Sequence, residues 1–230
     1  MKRSEINAAI DYAVAFFRRR RFPLPRFAYW TPEEWRTRGP EYQEVRDTRI
    51  GWDVTDFGSG DFAHTGRTIF VLRNGSVAMP LQYPKPYVHK AMCLPESQKS
   101  PIHYHRSTME DVFNQGGGII CIALWKASLD DSLSKEALEI SVDGCRHRVS
   151  GGTTVLLEPG HSVCIVPRTY HQVWAKERRG TALSIGVSSV CDERKDIAWL
   201  QEPERLPQID EDEPARYVLC GEYPPPSEGT

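Results

Sequence analysis

The chain has 230 residues, 40% of them hydrophobic, with 29 Lys and Arg set against 31 Asp and Glu for a net charge of −2. That length suits one large domain with a real core. The near-neutral balance argues against a general nucleic-acid binder and offers no attraction to anionic membranes, which leaves small molecules or proteins as partners.

Residues 4–21 carry apolar side chains at Ile6, Ile10, Ala13, Phe16 and Phe17, spaced by three and four, and so predict a helix with one buried stripe. The run Arg18 to Arg21 closes it. Cations in a last turn favour the helix's negative end and are easily solvated, a plainer account of the run than targeting or nucleic-acid binding. Glu5 and Asp11 stand where a signal peptide needs an unbroken apolar core, and no segment approaches the roughly 20 apolar residues of a membrane span. The stretch "TPEEW" predicts a second, short helix: Thr31 caps, Pro32 suits the first position, and Glu34 returns the capping hydrogen bond.

From about residue 50 the period changes. "TIFVLRNG", "IICIALW", "LEISVDG", "TTVLLEPG", "HSVCIVP" and "TALSIGVSSV" are short, β-branched and apolar, and several end in Gly, Asn-Gly or Pro. Many short strands joined by turns predict a sandwich or barrel. The glycines at 58–60 and 116–118 lack the flanks of a nucleotide-binding loop and read as turns. The tail "EYPPPSEGT" reads as a frayed or surface-lying end. Six cysteines without a C-x-x-C pair predict free thiols in a reducing, cytoplasmic setting.

The chemistry concentrates in "SPIHYHRSTMEDVFNQGGG", residues 100–118. On a strand, side chains repeat with a period of two, so His103 and His105 share a face and can share one metal ion. Glu110, after a short bend, supplies a carboxylate. A second segment, "LEPGHSVCIVPRTYHQVW", brings His171 to the start of another strand, where an inward imidazole meets the first pair. Three imidazoles and a carboxylate suit a divalent ion and leave two positions open on an octahedral one. Nitrogen and oxygen ligands without thiolate point to Mn²⁺, since Zn²⁺ more often takes four ligands. His64, His89, His147 and His161 fall outside both segments and read as surface or structural residues.

"HYHRSTMEDVFNQGG" resembles the first cupin motif, and "GHSVCIVPRTYH" the second, with two departures: the gap from Pro to His is one residue short, and Ala175 stands where an Asn is usual. The N-terminal helix, the block "YVHKAMCLPESQKSPIHYHRSTMED", the strand end "SSVCDE" and the acidic "IDEDEPARYVLCGEY" together are similar to the D-lyxose isomerase family over most of residues 1–223. The resemblance implies an all-β fold, a cupin jelly-roll β-barrel over residues 49–223, preceded by a helical segment at 1–48 and followed by a tail at 224–230. It further implies an aldose–ketose isomerase that interconverts D-lyxose and D-xylulose, and D-mannose and D-fructose, through a cis-enediol. Such an enzyme needs a divalent metal at His103, His105, Glu110 and His171, a sugar as substrate, and a homodimer as its ordinary assembly. The proton-transferring carboxylate would be Glu204, with Lys90 bonding the sugar oxygens. Asp192, Glu193, Glu202 and the run Asp210 to Glu213 are the other acidic candidates for the base. Two competing readings use the same four ligands: an Fe(II) dioxygenase of the cupin fold, and a non-enzymatic sugar- or metal-binding module.

Overall fold

The computed structural model describes residues 1–202 and 208–227. Three helices come first: α1 (Arg3–Arg19), α2 (Pro32–Arg36) and α3 (Gln43–Asp47). The strands that follow are β1 (Gly51–Thr55), β2 (Arg67–Arg73), β3 (Tyr87–Leu94), β4 (His103–His105), β5 (Glu110–Gly117), β6 (Ile120–Ala127) and β7 (Leu133–Ser134). Next are β8 (Ala137–Val142), β9 (Cys145–Ser150), β10 (Thr153–Leu157), β11 (Ser162–Ile165), β12 (Thr169–Ala175) and β13 (Ala182–Ser189). A short helix, α4 (Glu193–Asp196), leads into the last strand, β14 (Ile197–Trp199).

One sheet runs β1-β2-β3-β13-β5-β11-β8-β9 and the other β10-β6-β12-β4-β14, with β7 paired to β6. All of these pairs are antiparallel. The short strands build the barrel they predict, and it is the all-β jelly roll that the family resemblance implies. Strands β2, β3 and β13 of the larger sheet divide their residues between two cores, as a period of two requires. On β2, Phe70 and Leu72 pack outward under α1, whereas Ile69 and Val71 join the barrel interior. The buried stripe of α1, including Ile6, Ile10, Ala13 and Phe17, covers that outer face.

The barrel interior is graded along its length. Toward one end it is apolar, with Ile120, Leu157, Ala175 and Ala182 all buried. Toward the other end the inward positions are His103, His105, His171, Glu110 and Lys90. The glycines at 116–118 are not a simple turn: Gly116 and Gly117 end β5 itself, beside a register shift between Leu183 and Ser184 of β13. Gly117 has φ +93°, and a Cβ there would lie 2.3 Å from the Thr181 carbonyl oxygen, so no other residue fits.

The capping box at Thr31 forms as expected: Glu34 N donates to Thr31 Oγ1, and Thr31 N donates to the Glu34 carboxylate. The acidic run near the C-terminus is spent on α1. Arg3 donates to both Glu211 and Glu222, Ser4 to Asp212, and Asn7 to Glu213. That pairing removes Glu211, Asp212 and Glu213 from the candidates for the base. Residues 223–227 of the tail lie against the helices, with the Tyr223 ring 4.3 Å from Trp35 and Ser227 N donating to the Arg38 carbonyl.

Candidate metal centre and active site

Strand β4 is only three residues long, and it is placed by neighbours on both sides. His171 of β12 pairs with His103, while Trp199 and Ile197 of β14 pair with His103 and His105. Directly opposed residues in an antiparallel pair share a face. The imidazoles of His103 and His171 therefore meet, with ring centroids 4.2 Å apart, and His105 joins at 5.5 Å from His103 and 5.8 Å from His171. The ligand atoms of all three lie within 4.8 Å of one another.

Each ring has its Nδ1 committed elsewhere. Nδ1 of His103 bonds the Pro101 carbonyl at 2.9 Å, Nδ1 of His171 the Thr169 carbonyl at 3.1 Å, and Nδ1 of His105 the Asp196 carboxylate at 2.8 Å. A carbonyl only accepts, so these Nδ1 atoms carry the proton, and a neutral ring then presents a bare lone pair on Nε2. Burial keeps two of the rings neutral: it pushes His103 well below the usual imidazole range and His171 down to about 4. Three imidazoles with Nδ1 committed elsewhere and Nε2 left to face one another are a donor set that fits a divalent cation.

Asp196 holds His105 in place. Its other oxygen accepts from Ser107 N and Ser107 Oγ, at 2.8 and 2.6 Å. Although burial alone would raise its pKa, these hydrogen bonds keep it far below the ordinary carboxylate range. It is an anion that fixes a ring, the arrangement that orients metal-binding histidines.

Glu110 stands at the edge of the histidine set. One oxygen lies 3.8 Å from Nε2 of His105 and the other pairs with Lys90 Nζ at 2.9 Å. Burial would push Glu110 upward, but Lys90, His171 and His105 outweigh it and hold it down to about 2. Burial would likewise strip Lys90 of its proton. Glu110, with Glu193 beyond it, reverses that and raises the Lys90 pKa above its ordinary value. Lys90 points inward, as a charged partner of a polar barrel end.

Of the remaining acidic candidates, Glu204 lies outside the described residues. Asp192 is exposed and caps α4 by accepting from Arg194 N. Glu193, the first residue of α4, is exposed at the mouth, where its charge acts on Lys90 and Arg67. Glu202 is exposed and lines a cleft of about 870 Å³ together with Phe57, Pro101, Ile102, Gln172 and Leu200. None of the three histidines lines that cleft, but Phe57 on its wall connects through Trp199 to His103, so the cleft lies beside the histidine set. Sequence reasoning missed Asp196, whose place beside His105 depends on a strand pairing between distant segments that nothing local marks.

A jelly-roll barrel that converges three histidines beside a buried Lys–Glu pair is a cupin-like barrel whose histidines could hold a metal ion. The chain belongs to the D-lyxose isomerase family, whose model matches residues 1–223. It is 41% identical to the D-lyxose/D-mannose isomerase of Escherichia coli O157:H7 over 97% of this chain and 98% of that protein. The D-lyxose/D-mannose isomerase of Serratia proteamaculans is likewise 41% identical, with the same coverage of both chains. Among solved structures, a variant of the L-ribose isomerase of Acinetobacter sp. DL28 in complex with L-ribose matches with a TM-score of 0.59. That match covers 91% of this chain and 98% of the other, at 12% identity, so it speaks for a shared fold alone.

Proposed function

We propose that this protein is a divalent-metal-dependent aldose–ketose isomerase that interconverts D-lyxose and D-xylulose, and D-mannose and D-fructose, with Mn²⁺ as its ion. The observation that carries the reading is the set of three free Nε2 lone pairs, on His103, His105 and His171, beside the Lys90–Glu110 pair. Glu110 is the fourth ligand in this reading.

Isomerisation moves one proton between C2 and C1 and passes negative charge through O1 and O2. A bound divalent ion supplies Lewis acidity toward those oxygens. The chain's own contribution is at Lys90, whose raised pKa keeps it an ammonium at neutral pH. From inside the barrel it donates to a sugar oxygen as charge develops there, and burial strengthens that interaction. Glu204 is assigned the proton transfer on the strength of the family resemblance. The apolar residues below the site, among them Ile122, Leu124 and Val163, keep water from the floor of the barrel. The six free thiols suit a reducing cytoplasm, and the working unit in this reading is a homodimer, to be measured by sedimentation.

The test is turnover without oxygen. Chelator-treated protein supplied with Mn²⁺ should convert D-lyxose to its ketose under strictly anaerobic conditions, which an oxygenase cannot do. Glu204→Gln should abolish turnover and keep metal content, whereas His105→Ala should lose both. Activity that consumes O₂ in step with product, or no reaction with any aldose of this C2 configuration, would leave only the metal barrel.

A further inference from the structure

One cation in the barrel has no role in the proton transfer. Arg67 opens β2, and its side chain lies on the inward face with Ile69 and Val71. The guanidinium turns along the strand to Asp53 of β1, where Nη2 donates to the carboxylate at 2.6 Å. Asp53 is paired with Ile69, and Ile69 with Met92, so the guanidinium ends one inward position from Lys90.

Two further features surround it. Nε of Arg67 is buried and has no hydrogen-bond partner among the described residues. A buried donor without an acceptor is uncommon and calls for a cause. The guanidinium also lies 5.4 Å from the centre of the Phe57 ring, which meets Trp199 at 5.6 Å, and Trp199 meets His103 at 4.9 Å. Arg67, Phe57, Trp199 and His103 thus form one continuous wall. Phe57 is held there against its own preference. It has φ +55°, a left-handed conformation unfavourable to a bulky side chain, fixed by the Asp56 carboxylate accepting from Gly58 N and Gly60 N.

We propose that Arg67, positioned by Asp53, recognises the hydroxyl at the end of the sugar chain away from the reacting carbons, with Phe57 and Trp199 as the apolar side of that subsite. The proposal rests on the sugar-isomerase reading above. With O1 and O2 at the histidines, the rest of an aldose must extend along one wall, and this wall pairs a flat apolar surface with a guanidinium whose Nε lacks an acceptor among the described residues. A sugar offers the same combination: C–H faces for the rings and a hydroxyl for the guanidinium.

The experiment compares D-lyxose with 5-deoxy-D-lyxose, each in the wild type and in Arg67→Met, both loaded with Mn²⁺. The wild type should prefer D-lyxose by about 10–100-fold in kcat/KM, mostly through KM, because the deoxy sugar leaves a charged donor unmet. In Arg67→Met the D-lyxose value should drop by a similar factor and the preference should collapse toward unity, with Mn²⁺ affinity unchanged. An undiminished preference in Arg67→Met, or none in the wild type, would overturn the assignment. If Arg67→Met does not fold, Asp53→Asn takes its place: it keeps the guanidinium but frees it, so the preference should shrink, and full retention would overturn the proposal. A wild type that turns over no aldose at all would sink the isomerase reading, and this one with it.

Discussion

Asp196 touches no reacting atom in the proposed chemistry, yet it decides which nitrogen of His105 is free. Its carboxylate accepts from Nδ1, so the lone pair on Nε2 faces the other two imidazoles. An amide in its place would offer either a weaker acceptor or a donor that demands the opposite tautomer. Asp196→Asn should therefore raise the Mn²⁺ dissociation constant by about 10–100-fold, read by metal competition, while Ser107→Ala should change it little. Equal affinity in Asp196→Asn and the parent would reduce Asp196 to an anchor for the turn at Ser107. The contrast between His105 and Asp196 marks what a sequence reveals at this scale. His103 and His105 are legible because a period of two fixes their common face. Asp196 meets His105 across 91 residues, through the pairing of β14 with β4, which no local pattern announces.

At the scale of the strand, β13 matters by what it lacks. Gly186 lies between Lys90 of β3 and Val112 of β5 in register, and a Cβ built there would sit 2.8 Å from Lys90 Cε and 3.1 Å from Glu110 Oε1. The Lys90–Glu110 pair therefore crosses β13 where that strand has no side chain. Gly186→Ala should push the ammonium away from Glu110 and from the substrate oxygens. We expect turnover to fall about 10–100-fold with melting temperature and metal content nearly kept, measured by steady-state kinetics beside elemental analysis. Unchanged kcat would show that the pair tolerates displacement and that Lys90 is not tightly placed. The strands themselves were largely legible, since β2, β6, β8, β10, β11 and β13 each coincide with a β-branched, apolar run. The exceptions have physical reasons. Strand β9, "CRHRVS", is almost wholly exposed and so carries no apolar pattern, and it forms because Asp143 and Gly144, at φ +50° and +80°, make the tight turn from β8.

Across the whole molecule, the two ends of the chain close on each other. Arg3, 3% exposed, is held by Glu211 and Glu222, and this joins α1 to the segment that follows the barrel. The acidic run that looked like a store of catalytic bases in the sequence is the partner of that arginine, and composition alone could not tell the two uses apart. The pairing makes a pH-dependent clasp. Hydrogen bonding to Arg3 lowers the Glu211 pKa below its ordinary 4.5, and Ser4 lowers that of Asp212. A carboxylate depressed in the folded state contributes stability above its unfolded pKa, and that contribution is lost as pH falls through the folded value. Glu110, at about 2, keeps its charge over this range, whereas buried His103 and His171, the latter at about 4, resist protonation and cost the barrel stability as pH falls below the ordinary imidazole value. Acidification from about pH 5 to 3 should therefore reduce amide protection of α1 by an increment that depends on the Arg3 clasp, measured as hydrogen-exchange protection factors corrected for intrinsic rate. Arg3→Met should lower the protection of α1 at neutral pH, remove most of its acid dependence, and cost about 1–3 kcal/mol in denaturant unfolding, because Glu211 and Glu222 remain near solvent when unpaired. An acid dependence of α1 protection that Arg3→Met retains in full would show that the helix is held by its apolar stripe alone, with Phe17 against Trp52 sufficient to keep it in place.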